Sequence, residues 1–306
     1  MTRGVRWLSL AIFGALVTGC EAEPLGVTPP GWPGALAEFQ SLPAFTYSAI
    51  DVPFAGAQNT RANGINDRGD IVGRFEDATG AHGFLWSQGT FTVINVPGSA
   101  NDNDGPARGI NARGDIVGHY VDASGDHGFL LSQGTLTPIN VPGATDTEAR
   151  GISNNQDIVG SFLDSSQLRH GFLLHGGAFT RIDVPGATST RARGIDDQGA
   201  IVGEYLLGSA THGFRLTRGA FTTIDVTFSG AADTKARGIN DPSGIVGSYD
   251  VSGVPHGFLL RAGTFTGIDV PFSGVLGTQA RGVNARGSIV GAYADGTGEH
   301  GFLATR

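Results

Sequence analysis

Histidine recurs at regular intervals along the chain, each time in the triplet His-Gly-Phe. The six histidines lie 42 to 45 residues apart: His82, His127, His170, His212, His256 and His300. An imidazole can bind a metal or transfer a proton, but equivalent side chains of repeats arranged around an axis point away from one another and cannot converge on one ion. We therefore interpret each histidine as a structural group that hydrogen-bonds a loop backbone or a carboxylate within its own repeat. We predict neither a metal site nor a cofactor.

Arginine recurs as well, in the stretch Ala-Arg-Gly-Ile or its Val variant. These arginines are Arg108, Arg150, Arg193, Arg237 and Arg281, and Asn63 takes the equivalent place in the first copy. They form either a cationic ring that binds an anionic sugar or carboxylate, or structural forks that bind carboxylates and carbonyls of the preceding loop. We favour the structural interpretation because a residue present in every copy generally meets a need that every copy has. The arginines remain candidates for ligand binding.

Three polar residues of a variable segment, Asn101, Asp102 and Asp104, are further candidates for ligand binding. Their run resembles the start of a calcium loop, but it lacks a carboxylate at the first position and the bidentate glutamate at the last. Whether calcium binds there stays open.

Motifs of known enzymes are missing from the sequence. It has no Gly-x-Ser-x-Gly elbow, no His-Glu-x-x-His and no phosphate-binding Gly-rich loop. Glu148 and Glu204 are acids that the repeat does not require, so proton transfer would be sought there first. The single histidines His119 and His175 form no ligand set. We predict no catalytic residue.

Four short stretches with β-strand character recur in every copy of about 44 residues. The first three are aromatic-Thr-x-Ile-Asp/Asn-Val (Phe91 to Val96), Ala-Arg-Gly-Ile (Ala107 to Ile110) and Ile-Val-Gly-x-Tyr/Phe (Ile116 to Tyr120), and His-Gly-Phe begins the fourth. Turn residues separate them, as in Asn111-Ala-Arg-Gly114 and Ser132-Gln-Gly134. Each copy therefore reads as four antiparallel strands.

A tandem array of four-stranded units of this length is typical of propeller blades. The sequence predicts an all-β fold, a six-bladed β-propeller over residues 45–306. The chain opens with Tyr47 to Val52 and closes with His300 to Leu303, so we expect the N-terminal strand to complete the last blade and close the ring. A β-solenoid and an outer-membrane barrel are the alternatives, and the barrel is disfavoured because these strands are too short for it.

The N-terminus has the pattern of an export signal, with Arg3 and Arg6 before an apolar stretch that is too short for an ordinary membrane span. Val17-Thr18-Gly19-Cys20 resembles a lipobox, and Cys20 is the only cysteine. We predict a signal peptide at 1–19, lipid on Cys20 and a Pro/Gly-rich tether at 20–44. A plain secretory signal with an incidental cysteine is the alternative.

Location and charge limit the partners. Glu21 after the cysteine favours the outer membrane, with periplasmic or surface exposure, and contact with the membrane through the lipid only. The formal net charge is -8, and it becomes more negative when the basic leader is removed. Such a chain repels phosphate backbones, so we expect no nucleic-acid partner, and we expect a monomer.

The block Gly64-Ile-Asn-Asp-Arg-Gly-Asp-Ile-Val-Gly73, followed by His82-Gly-Phe-Leu-Trp86, resembles the HAF family of extracellular repeats. The similarity covers about residues 45–306. It implies an exported repeat protein and supplies no catalytic residue. All six copies depart from the family pattern by having Gly in place of the Ala in the family name.

The leading hypothesis is a lipid-anchored, non-catalytic module that binds an extracellular glycan or an envelope protein through its variable loops. The rival hypothesis is an envelope polysaccharide lyase or hydrolase that would neutralise a uronate with the arginines. A purely structural surface repeat is the third. Sequence alone does not separate them.

Overall fold

The structure of this chain is a computed structural model, which describes residues 45–96, 107–240 and 244–306. These residues belong to one compact unit, Pro43–Arg306. Their regular secondary structure is entirely β, in 24 strands. No helix in these residues is long and apolar enough to span a membrane.

The strands follow the sequence repeat and fall into six units of four. Unit I contains β2 (Gln58–Ile65), β3 (Ile71–Asp77), β4 (Gly80–Ser87) and β5 (Thr90–Ile94). Unit II contains β6 (Ala107–Ile110), β7 (Ile116–Asp122), β8 (Gly125–Ser132) and β9 (Thr135–Ile139). Unit III contains β10 (Asp146–Ile152), β11 (Ile158–Leu163), β12 (Arg169–His175) and β13 (Ala178–Ile182). Unit IV contains β14 (Ser189–Ile195), β15 (Ile201–Leu207), β16 (Ala210–Thr217) and β17 (Ala220–Ile224). Unit V contains β18 (Ala231–Ile239), β19 (Ile245–Val251), β20 (Val254–Arg261) and β21 (Thr264–Gly267). Unit VI contains β22 (Gly277–Val283), β23 (Ile289–Asp295), β24 (Gly298–Thr305) and the N-terminal strand β1 (Thr46–Ile50).

The sheets differ in number from the sequence prediction. Six separate four-stranded sheets were expected, whereas the described residues contain four such sheets and one sheet of eight strands. The eight-stranded sheet consists of units II and III, joined by a single parallel bridge between Asp126 of β8 and Asp146 of β10. The difference arises at this bridge, where the start of an inner strand approaches the third strand of the unit before it.

The predicted closure of unit VI is confirmed. Strand β1 pairs with β24, Tyr47 opposite Ala304, in a sheet of order β1-β24-β23-β22. The first strand in the chain therefore completes the sheet that contains the last. The predicted strand order is also confirmed, since Ala-Arg-Gly-Ile lies on the inner strand and the aromatic-Thr stretch on the outer one.

Apolar clusters fill the interfaces between consecutive units. In each cluster the phenylalanine of His-Gly-Phe is fully buried and packs near the valine of Ile-Val-Gly from the preceding unit. Phe84 of unit I lies in a cluster with Val290 of unit VI, so the series of interfaces closes on itself. Each buried phenylalanine contributes about 1.5–3 kcal/mol of hydrophobic free energy, which makes these interfaces the main apolar core.

Candidate functional site

The inner strand of each unit carries a β-bulge at the same place. The pairing register shifts between Ala149 and Gly151, so Arg150 has no directly opposed partner on β11. The same shift occurs at the equivalent residue of every unit: Asn63, Arg108, Arg193, Arg237 and Arg281. A bulge re-aims the side chain of its extra residue, and here the six residues together line one cavity of about 40 Å³. We call this set the axial ring.

Glycine follows each ring residue because neighbouring inner strands approach very closely. A Cβ on Gly151 would lie 2.7 Å from the carbonyl oxygen of Arg193 and 3.1 Å from Cα of Gly194. Units VI and I approach equally closely, since a Cβ on Gly282 would lie 3.1 Å from the carbonyl oxygen of Asn63 and 3.1 Å from Cα of Gly64. The six inner strands thus surround one narrow channel.

Two of the ring arginines form ion pairs with the unrepeated acids. Arg193 binds Glu204 through two nitrogens, at 2.9 and 2.6 Å. Arg150 pairs with Glu148, which also accepts a bond of 3.3 Å from Arg169. The structural-fork interpretation therefore describes these two arginines, although their carboxylates lie on the inner and second strands and not on the preceding loop.

Both acids are held ionised. Burial by itself would raise the pKa of Glu148, but the neighbouring Arg150 and Arg169 guanidinium groups outweigh it, so the pKa lies well below its ordinary value. Arg193, Arg237 and Arg191 likewise lower the pKa of Glu204 against the effect of burial. A carboxylate with such a depressed pKa is a poor general acid at neutral pH.

One group of acids was missed by the sequence analysis. Asp126, Asp146 and Glu148 each place a carboxylate oxygen within 4.8 Å of the others. Asp146 binds Arg169 through Oδ2 at 2.9 Å, while its buried Oδ1 has no hydrogen-bond partner. Burial and then Glu148 raise the pKa of Asp146. Only the register between units II and III brings these residues together, and a single sequence carries no signal for that register.

The six repeated histidines make polar contacts near the start of the third strand of their units. Each lies at the start of a third strand and contacts a nearby carboxylate or amide; His170, for example, lies 2.8 Å from Asp183 and 3.2 Å from Asp164. The recurring aspartates after the outer strands serve as partners of these histidines, as at His212 and Asp225. All six histidines also lie against the tyrosine or phenylalanine opposite them, at 5.1 to 5.4 Å between ring centres.

A larger cavity lies between units I and VI, on the face opposite the variable loops. Its volume is about 600 Å³, and its lining includes Trp86, Arg68, Gln88, Arg286 and Leu303. We call it the Trp86 cleft. Tryptophan is unrepeated here, since the equivalent residue is leucine in units II to V and alanine in unit VI. An aromatic side chain with exposed polar neighbours in a cavity of this size is a binding-site arrangement.

A carboxylate network forms the floor of this cleft. Asp70 accepts hydrogen bonds from Ser87 at 2.5 Å, Asn66 at 2.9 Å and Arg68 at 2.9 Å. Unit II has the same network at Asp115, Ser132 and Asn111. The network is therefore structural, and Trp86 is what distinguishes the cleft.

Several predicted sites lie outside the described residues. They are the signal peptide at 1–19, Cys20, the tether at 20–44, and the candidate ligands Asn101, Asp102 and Asp104.

Solved structures with similar folds are β-propeller-type proteins. An arginine-to-alanine triple mutant of AofleA from Arthrobotrys oligospora aligns with a TM-score of 0.56 at 11% identity, over 85% of this chain and 87% of that one. A mutant of Aleuria aurantia lectin in complex with Fucalpha1-6GlcNAc aligns with a TM-score of 0.53 at 12% identity, over 82% and 92% of the two chains. The chain has a β-propeller-like fold. At these identities the likeness extends to the fold alone.

A third propeller-type structure, a luciferin-regenerating enzyme, aligns with a TM-score of 0.50 at 11% identity, over 85% of this chain and 96% of that one. No protein-family model matches the sequence, and no curated protein matches it either.

Proposed function

We propose that this chain is a non-catalytic binding module for a glycan, and that the sugar binds in the Trp86 cleft. The observation that carries the proposal is the tryptophan at this cleft, where units II to V have leucine and unit VI has alanine. A sugar ring presents a face of C–H groups that packs on an indole, and its hydroxyls accept hydrogen bonds from guanidinium and amide groups.

The chemistry of the cleft fits such a ligand. Arg68 is about half exposed while it holds Asp70, and Arg286 and Gln88 are exposed at the cavity. The volume lies in the range of small-molecule sites. The likeness to a mutant of Aleuria aurantia lectin in complex with Fucalpha1-6GlcNAc supports a sugar ligand on this type of fold.

The enzyme hypothesis is the weaker one at Glu148 and Glu204. Glu148 and Glu204 are each ion-paired with a ring arginine and have depressed pKa values. Neither is available as a proton donor near neutral pH, and the axial cavity beside them is too small for a sugar residue.

The finer features belong to the same proposal. The closed series of inter-unit clusters and inner glycines supports six blades, with units II and III as two blades of the eight-stranded sheet. Export, lipid on Cys20, an outer-membrane location and membership of the HAF repeats are proposed from the sequence. Mass spectrometry of the mature N-terminus tests the lipid, since a chain that starts elsewhere or lacks acyl mass would exclude it.

The test of the glycan site is a screen of the purified full-length chain against neutral and uronate-containing envelope glycans, measuring both retention and released sugar. We expect retention without cleavage, and at least a tenfold loss of affinity in Trp86→Leu, which installs the residue of units II to V. Leu174→Ala, at the equivalent position of unit III, is the matched control and should bind normally. Binding that survives Trp86→Leu would move the site to the variable-loop face, and cleavage would establish the enzyme.

A further inference from the structure

The axial ring concentrates positive charge at one point of the molecule. Five guanidinium groups and the amide of Asn63 line the same cavity of about 40 Å³. Arg150 and Arg193 have carboxylate partners in Glu148 and Glu204. Among the described residues, Arg237 and Arg281 have no such carboxylate partner within hydrogen-bonding distance.

Arg237 and Arg281 bind neutral groups within hydrogen-bonding distance. Arg237 donates to Ser248 at 3.4 Å, and Arg281 donates to Gln279 at 2.8 Å and to Asn63 at 3.4 Å. The Nε of Arg281 is buried and has no hydrogen-bond partner. Glu204 and Glu299 attract Arg237 and Arg281 electrostatically, but no carboxylate in the part of the chain that the structure describes is hydrogen-bonded to either arginine. A buried cation without a directly bonded counter-charge is costly.

Burial and neighbouring arginines lower the pKa of both Arg237 and Arg281. Burial, then Arg193, lower the pKa of Arg237 to about 9. Burial and then Arg237 lower the pKa of Arg281 well below its ordinary value. Both shifts would be relieved by a negative ion at the centre of the ring.

We propose that the axial ring binds one small inorganic oxyanion, such as phosphate or sulfate, on the channel axis. The cavity has room for a few water-sized groups, and guanidinium nitrogens donate in geometries that suit tetrahedral oxyanions. The site is independent of the glycan cleft. Because Asn63 belongs to unit I and Arg281 to unit VI, the bound ion would also tie the first repeat to the last.

Equilibrium dialysis of the full-length chain with radiolabelled inorganic phosphate tests this proposal directly. We expect one phosphate per chain and at least a tenfold weaker binding in Arg237→Gln and in Arg281→Gln. Arg286→Gln removes an exposed arginine from the Trp86 cleft instead, and should leave phosphate binding unchanged. An absence of binding, or equal binding by all three variants, would overturn the site.

Thermal unfolding supplies a second readout that does not depend on dialysis. In chloride buffer Arg237→Gln should melt no lower than the wild type, because it removes a like charge from the ring. Added phosphate should raise the wild-type Tm by about 2–4 °C more than that of Arg237→Gln, with Arg286→Gln matching the wild type. Equal shifts would mean general salt stabilisation and would overturn the proposal, as would tighter binding of glucuronate than of phosphate, which would assign the ring to a sugar acid.

Discussion

Nδ1 of His300 lies 3.0 Å from Oδ1 of Asp51, although the two residues are 249 positions apart. His300 is on β24 and Asp51 follows β1, so this contact joins the two ends of the repeat region. In unit IV the equivalent contact joins His212 and Asp225, 13 positions apart. The same type of contact is thus local in unit IV, whereas in unit VI it joins the N-terminal strand to the last strand of the repeat region. We call the contact in unit VI the clasp.

This difference gives the first prediction. His300→Ala should lower stability by about 1 kcal/mol through the lost hydrogen bond and should speed amide hydrogen exchange in β1. His212→Ala is the matched control, with a similar loss of stability and unchanged exchange in β1. Unchanged exchange of β1 in His300→Ala would contradict a clasp.

The second prediction concerns Asp77. The hydroxyl and backbone N–H of Thr79, followed by His82, lower the pKa of Asp77 to about 2. A depressed carboxyl pKa adds stability above the unfolded value of about 3.9, and this contribution is lost as the pH falls from about 4 through about 2. Carbon-13 NMR should show Asp77 titrating near the lower limit of that window.

The Thr79→Val variant keeps the N–H donor and removes the hydroxyl, so the Asp77 pKa should rise. Ser124→Ala removes the equivalent hydroxyl beside Asp122 in unit II and should leave the pKa of Asp77 unchanged. A midpoint of Asp77 that does not move in Thr79→Val would contradict the assigned cause.

The third prediction contrasts two acids in contact. The raised pKa of Asp146 means that its ionised form costs folding free energy at pH 7, so Asp146→Asn should raise the Tm there and have no effect below the unfolded pKa. Glu148→Gln should act in the opposite direction, by about 3 kcal/mol, because it leaves Arg150 buried without its carboxylate. Urea unfolding at pH 7 and pH 3 measures both, and changes of the same sign would refute the assignment.

The fourth prediction concerns the narrow channel. Gly151→Ala should lower the free energy of unfolding by about 1–3 kcal/mol, because the new Cβ would meet backbone atoms of Arg193 and Gly194 in unit IV, which cannot move easily. Gly267→Ala, where a Cβ meets nothing within 4 Å, is the control and should change stability by less than about 0.5 kcal/mol. Equal effects would contradict the close approach of the inner strands.

Local pattern predicted most of the fold. The turn Ser132-Gln133-Gly134 has φ values of 50° and 80° at Gln133 and Gly134, as a tight two-residue hairpin requires, and strand order followed from the phase of the repeat. The bulge at Arg150 was not predicted, because an extra residue in one strand leaves no mark on a short alternating stretch. Its sole sequence trace is the glycine that follows.

The candidate sites were predicted less well. The arginines were recognised, but their partners Glu148 and Glu204 were considered only as isolated acids, since pairing across strands depends on register. Trp86 carried a signal that sequence reasoning passed over, because the equivalent residue is leucine in units II to V and alanine in unit VI. Asp126 and Asp146 lie in different units, and nothing local relates them.

The pairing of β1 with β24 has a consequence for biosynthesis. Strand β1 finds its partner only after β24 has been synthesised, so unit VI stays incomplete until then. Until then both strands present unpaired edges, which are prone to aggregation. A chain that stops before β24 would leave β1 without its neighbour, so a truncation near one end of the repeat region would expose an unpaired strand edge at the other end.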